Sequence, residues 1–343
     1  MAKITLIMPA YNAEAWLAES VRSVLEQSFG DFTLLAVDDG STDQTPAILD
    51  ALAAEDPRVR PIHAVNGGPA RARNLALEQL DADTEYVMFL DSDDRLEPDT
   101  LAYALQGAGQ GAELTIFGFT IEELGGGTRD YWEPAALLDR ESLGASLGRL
   151  YKANLLNQVW GKLYAARLLR ENAIRFPDYR WGEDRLFVFD CLEHCERVCI
   201  LPECKYRYVM HEGDSLITRY YDKKFAVCLQ TDGRMQELCR RFGVKDDADM
   251  RYMFLKSVFS CLTTLFSPTC PLRYGEKRAE VRKILSNGQL QKRSRRAAGG
   301  LPTRLLAWVL RTGNVTLTMF CFRLVAWVGK TAPGMFMKIK HRK

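Results

Sequence analysis

The chain has 343 residues, 47% of them hydrophobic, enough for one large domain plus a smaller one with a substantial core, which excludes disorder as the dominant state. The net charge of +2 conceals a split: residues 1–272 carry 29 Lys and Arg against 42 Asp and Glu, whereas residues 273–343 carry 17 against 2. The basic charge therefore belongs to the tail. Nine cysteines, an odd number with none before Cys191, and a start that runs straight into an apolar strand pattern are read as free thiols in a reducing cytoplasm without a secretory leader.

Ile4 to Met8 is a short apolar run closed by Pro9, and Trp16, Leu17, Val21, Val24 and Leu25 follow at helical spacing. The same strand-then-helix unit recurs with Phe32 to Val37 and Thr45 to Ala54, with Val59 to Val65 and Pro69 to Leu80, and with Tyr86 to Leu90 and Pro98 to Ala108. Four such alternations predict an α/β fold with a mostly parallel sheet covered on both faces. Glu113 to Glu122 reads as a fifth strand, and Gly125, Gly126 and Gly127 turn the chain into Thr128 to Trp132. Segments around Glu141 to Leu150, Lys162 to Glu171 and Glu183 to Glu193 read as helices, and Val198 to Val209 as a strand.

Three regions are expected: residues 1–218 as the catalytic domain, 219–272 as a helical extension with helices at 224–242 and 247–267, and 273–343 as a basic and hydrophobic tail. Residues 301–328 are rich in Leu, Val, Phe, Met and Trp but interrupted by Arg304, Arg311 and Arg323, so a spanning helix is disfavoured. Apolar residues in a lipid boundary with basic ones at anionic headgroups, or a partner-binding surface, suit the tail better. Its apolar segment also argues against nucleic acid as its partner, although phosphate attraction is sequence-independent.

In a parallel sheet, ligands gather beyond the carboxyl ends of the strands. The polar clusters sit there: Tyr11 and Asn12, then Asp38 to Ser41, then Asn66 to Arg73, then Asp91 to Asp94. Asp91 and Asp93, two positions apart after an apolar strand, suit a hard divalent cation, Mn2+ or Mg2+, on a diphosphate. One of Asp38 or Asp39 suits donors on a base or ribose, whereas Asp43 reads as local capping. Gly67, Gly68 and Pro69 open a helix whose free N–H groups and Arg71 suit negative charge. For Arg73 and Asn74, exposure or structural hydrogen bonding weighs as much as ligand contact. Asp184 suits the base that accepts a hydroxyl proton, with Glu183 as second candidate; both also suit a helix start. No GxxxxGK[ST] loop or GxGxxG turn is present, which removes the usual chemistry of nucleoside triphosphatases and nicotinamide enzymes.

The ordered motifs PAYNAE, VDDGSTD, GGPARARN, FLDSDD and WGED, over roughly residues 3–215, resemble the inverting family 2 glycosyltransferases of the A-type nucleotide-sugar fold, especially bacterial enzymes of lipopolysaccharide, capsule and other surface glycans. The resemblance implies a nucleoside-diphosphate-sugar donor, with Pro9 to Tyr11 lining the base pocket and Asp39 on the uracil edge of a UDP-sugar. Asp38 and Ser92 join the donor-binding set. It further implies Arg71 at base or phosphates, Asp91 at the ribose side and as a second metal ligand, Asp93 on Mn2+ or Mg2+, and Asp184 as general base. Lys162, in VWGKLY, would frame the pocket, and His211 would lie beside the metal or diphosphate. Trp160 and Trp181 suit either a sugar face or core packing.

The acceptor implied is a glycan or lipid-linked oligosaccharide, and the location the cytoplasmic face of a bacterial inner membrane; homo-oligomerisation stays open. Two other readings compete. A sugar nucleotidyltransferase would need a basic, glycine-rich loop near the first strand, yet no basic residue stands between Lys3 and Arg22. A noncatalytic binder of nucleotide-sugar or glycan has no need of Asp39, Asp91, Asp93 and Asp184 together.

Overall fold

A computed structural model describes residues 3–179, 181–211, 219–296 and 300–331, of which 329–331 by backbone alone. The chain divides into two compact units, Met1–Glu212 and Gly213–Lys343.

The first unit runs β1 (Ile4–Ala10), α1 (Leu17–Leu25), β2 (Phe32–Asp38), α2 (Thr45–Glu55), β3 (Val59–His63), α3 (Pro69–Glu78), β4 (Tyr86–Phe89), β5 (Arg95–Leu96) and α4 (Thr100–Gly109). It continues with β6 (Leu114–Glu122), β7 (Thr128–Tyr131), β8 (Ala136–Leu138), α5 (Arg140–Lys152), β9 (Lys162–Ala165), α6 (Ala166–Glu171), α7 (Glu183–His194) and β10 (Val198–Val209). One sheet holds them in the order β3-β2-β1-β4-β9-β6-β10-β5, with β7 on β6 and β8 on β10. Strands β1 to β4 pair in parallel, as does β10 with β6. β2 is buried at every position and β1 at all but Pro9, because helices cover both faces; this is why they read as unbroken apolar runs. The chain leaves β1 between β2 and β4, the switch point where a crevice opens beyond the carboxyl ends.

The segment from Lys162 to Glu171, expected as one helix, is a strand and then a helix. β9 lies antiparallel between β4 and β6. Gly161, at φ +68°, turns the chain into the sheet, and all four residues of β9 are buried, so no alternation marks the strand. β5 and β8, of two and three residues, are too short to leave a period in the sequence.

The second unit contains α8 (Lys224–Arg241), α9 (Ala248–Thr264), α10 (Tyr274–Leu285), α11 (Gly288–Arg295), α12 (Leu301–Arg311) and α13 (Val315–Thr331). The basic segment from residue 273 is folded into this unit: α11, α12 and α13 all pack on α9. Arg293 of α11 and Asp232 of α8, both buried, form a two-pronged ion pair, and the same guanidinium reaches Asp246 at 2.5 Å. No helix among the described residues is long and apolar enough to cross a membrane.

Candidate active site

The loops after β1 and β2 are laced together. Asn12, at φ +48°, donates its N–H to Ser41 Oγ at 3.0 Å and accepts from the Thr42 N–H at 2.9 Å on its own Oδ1. Asp43 caps locally, accepting from the Thr45 N–H at 3.0 Å, as its sequence position suggests. Tyr11, just after β1, has 53% of its surface exposed, and Pro9 is the one partly exposed residue of β1.

The paired aspartates divide their work. Asp38 is buried and turned into the fold: it accepts from the Ser41 N–H at 2.9 Å and meets His63 Nδ1 at 3.1 Å. Burial pushes the Asp38 carboxyl up, but the bonds from Ser41 and His63 outweigh it and hold the group below the ordinary carboxylate range. Asp39 is also buried, and it receives the glycine turn, its two oxygens accepting from the Gly67 and Gly68 N–H groups at 2.8 and 2.7 Å. Gly40 makes the approach feasible: at φ +70°, a Cβ there would sit 2.7 Å from the Asn66 nitrogen.

At the centre stands an arginine whose sequence reading was evenly balanced. Arg73 is buried on α3; its Nη2 donates to Asp91 Oδ1 at 2.7 Å and its Nη1 to Asp184 Oδ1 at 3.0 Å, with Glu183 at 3.9 Å. Burial works against its charge, yet Asp184, Asp91 and Glu183 together hold it protonated above the usual arginine value. Arg71, the expected ligand, is exposed one face away. The signal for Arg73 was in the sequence: with Ala70 and Leu77 it completes an i, i+3, i+7 stripe that is buried along α3. Asn74 is structural, clasping the Phe176 backbone through both its amide atoms at 2.9 Å.

Glu183 and Asp184 open α7, where Gly182 at φ +86° swings the chain into the helix and the free N–H groups favour carboxylates. Burial, then the Asp184 charge, push Glu183 up to about 8. Asp184, also raised by burial, is held back by the Arg73 guanidinium and keeps part of its side chain open to solvent. Of the two, Asp184 keeps the more accessible carboxylate.

Asp93 and Ser92 are partly exposed, and burial followed by the charge of Asp91 pushes Asp93 up to about 6. His211 lies beside it, Nε2 4.0 Å from the carboxylate, with its ring 4.2 Å from that of Trp16. Asp94 is wholly buried and accepts from Tyr206 Oη at 2.5 Å and the Val209 N–H at 2.9 Å, so it shapes the turn that presents its neighbours. Trp160 stacks on Tyr206 at 4.3 Å and is core. Lys162 is buried and donates to the Gln158 and Trp160 carbonyls at 2.7 and 3.2 Å, with burial lowering it to about 7. It braces the strand entry rather than lining an open pocket. Trp181 lies under the Arg185 guanidinium, 4.6 Å from the ring centre. The structure thus brings Asp91, Asp184, Glu183 and Arg73 into one network with Asp93 and His211 beside it, and leaves Asp38 and Lys162 to the framework.

Among the described residues no three His, Cys, Asp or Glu side chains form a ready metal cage. What is present is an incompletely neutralised pair, Asp91 and Asp93, with one imidazole at hand. Such an oxygen-rich, unsaturated set fits Mg2+ or Mn2+ bound partly by phosphate oxygens and water.

A mostly parallel sheet flanked by helices, with acidic loops at the carboxyl ends of its strands, is consistent with the A-type glycosyltransferase fold. A structure of Staphylococcus aureus TarS residues 1–349 in complex with UDP-GlcNAc superposes with a TM-score of 0.66 at 21% identity, over 96% of this chain and 91% of that one. EpsH of Bacillus subtilis (strain 168) is 27% identical over 248 residues, 68% of this chain and 71% of EpsH. The poly(ribitol-phosphate) beta-N-acetylglucosaminyltransferase TarS of S. aureus (strain Mu50 / ATCC 700699) is 29% identical over 225 residues, 64% of this chain but only 38% of TarS. Residues 5–176 match the family Glycosyl transferase family 2, and the chain belongs to that family of inverting glycosyltransferases. Tyr11, Asp39, Arg73, Asp91 and Asp93 fall within the matched residues; Asp184 and His211 lie beyond them.

Proposed function

We propose that the chain transfers one sugar, with inversion, from a UDP-sugar to a hydroxyl of a glycan or lipid-linked acceptor, on the cytoplasmic face of a bacterial inner membrane. The observation that carries this reading is the Arg73 bridge: one buried guanidinium joins Asp91, on the donor loop, to Asp184, at the start of α7. Tyr11 offers its ring to the base, Asp39 an acceptor edge, and Asp91 with Ser92 the ribose side. Asp93, with Asp91 and His211, would hold Mn2+ or Mg2+, which when bound neutralises charge on the diphosphate.

The acceptor hydroxyl approaches on the side away from the nucleotide. Its oxygen bonds to the anomeric carbon as that carbon's bond to the diphosphate oxygen breaks, and the proton passes to the Asp184 carboxylate. Arg73 orients that carboxylate and offsets part of the burial that disfavours its charge. Nucleoside diphosphate leaves with the electron pair.

Calorimetry of UDP binding with and without Mn2+, on the intact protein and on Asp93→Ala, tests the donor site. Tighter binding with Mn2+ that the substitution weakens is expected; metal-insensitive binding unchanged in Asp93→Ala overturns the metal assignment, and no UDP binding by a folded protein removes the uridine donor. Asp184→Asn should cut turnover about 10²-fold or more while leaving UDP affinity nearly unchanged. Wild-type turnover in that variant would remove Asp184 as base.

A further inference from the structure

A short pattern occurs twice near the end of the sequence: RLLAWV at residues 304–309 and RLVAWV at 323–328, each with a large apolar residue three positions before the arginine. The first lies in α12 and the second begins within α13. In both helices the same four positions face outward: Leu301, Arg304, Leu305 and Trp308, then Phe320, Arg323, Leu324 and Trp327. Their large apolar members are exposed, from 49% at Leu324 to 81% at Leu301, while Ala307, Val309, Leu310, Met319 and Phe322 are buried. Spacing of i, i+3, i+4 and i+7 makes one stripe, of the kind a helix ordinarily buries. Here two packed helices each turn such a stripe to solvent, with an arginine at the same place in it.

The charge around these stripes selects what covers them. After Glu280 the sequence contains no Asp or Glu in 63 residues, against 14 Lys and Arg. A second copy docking by the same face would set arginine against arginine with no carboxylate of this region to compensate. Nucleic acid would satisfy the cations but offers no apolar phase to Leu301, Leu305 and Leu324. An anionic lipid surface satisfies both: aliphatic side chains enter the acyl boundary, Trp308 and Trp327 lie at headgroup level, and Arg304 and Arg323 extend their stems along the apolar layer to lipid phosphates. Neither helix is, over its described residues, long and apolar enough to span, and both are long enough to lie in the plane. Exposed Arg278, Arg282, Lys283, Lys292 and Arg295 on α10 and α11 add longer-range attraction.

We infer that α12 and α13 are paired in-plane anchors that seat the protein on an anionic bilayer through these two stripes. The inference rests on the second unit alone and not on the sugar-transfer reading.

Co-sedimentation of the full chain with vesicles of phosphatidylglycerol and phosphatidylcholine in equal parts, against phosphatidylcholine alone, tests it. Binding should be about tenfold or more tighter to the anionic vesicles and should weaken with added salt. Leu305→Ser with Trp308→Ser, and separately Arg304→Glu with Arg323→Glu, should each lose about tenfold or more in affinity, with unchanged circular dichroism and UDP affinity. Equal, salt-insensitive binding to both vesicle types overturns the proposal. So does anionic binding untouched by either variant pair, or absence of vesicle binding together with self-association or DNA binding that the variants abolish.

Discussion

Arg73 carries more of the site than any other single side chain, because Asp91 and Asp184 both bond to one buried cation, with Glu183 beside it. Arg73→Ala strands Asp91, Asp184 and Glu183 in low dielectric, and a loss of about 3–5 kcal/mol is expected in the urea midpoint extrapolated to water, together with near-complete loss of transfer activity. Arg71→Ala, at an exposed position, should stay within about 0.5 kcal/mol of the parent. Glu183 gives a pH signature. Its folded value of about 8 lies above the ordinary carboxylate value, so the folded state binds the extra proton across the window between them and stability falls as pH rises through it. Glu183→Gln, a neutral mimic of the protonated acid, should flatten that fall, which denaturant midpoints measured between pH 5 and about 8 will show. The position of the acidic residues beyond the strand ends is legible in the sequence, but not their division of work, since Asp38, Asp43 and Asp94 serve the fold while Asp91 meets Arg73. Arg73 is ambiguous in the sequence because its charge argues for solvent while its place on the Ala70–Leu77 stripe argues for burial, and the carboxylates of Asp91 and Asp184, from distant segments, decide for burial.

Elements rather than side chains set the position of the loops. The turn after β2 passes so close to the chain after β3 that only a glycine fits at position 40. Gly40→Ala combines a left-handed backbone with a collision against the Asn66 backbone, and a loss of about 1–3 kcal/mol is expected in thermal or chemical unfolding, with weaker UDP binding as the Asp39 loop shifts. The first four strand and helix alternations were readable from their periods because each strand is long enough to form an apolar run and each helix has a buried stripe. β9 was not, since its identity comes from β4 and β6 on either side of it rather than from its own four residues. Lys162 misled for the same reason: a lysine in sequence suggests phosphate or solvent, but here the strand carries it into the interior, where two carbonyls take its N–H groups.

Over the whole molecule, charge is sorted by unit. The acidic excess lies largely in the unit that holds the crevice, and the basic excess in the helical unit, where Arg293 is the one arginine of α11 drawn into the interior. Asp232→Ala removes the partner of that buried guanidinium and also the acceptor of Gln236 and Gln289 at 2.8 and 2.5 Å. A loss of about 3 kcal/mol or more is expected in guanidinium unfolding, with Asp246 retaining part of the pairing. Composition foretold a basic end but not that part of it is core, because burial of Arg293 depends on an aspartate sixty-one residues earlier.

The clasp of Asp39 on Gly67 and Gly68 has a consequence for which nucleobases can be read. A carboxylate fixed by two backbone N–H groups keeps a lone pair on each oxygen and has no proton to offer, so at a base edge it accepts only. Uracil presents an N–H at ring position three and meets it; cytosine presents a lone pair at that place and can donate only from its neighbouring amine, which requires a shifted register. With Asp39 at the base edge as proposed, the glycine turn would act as a filter written in donors and acceptors, one that favours the uracil register over the cytosine one before any sugar is tested.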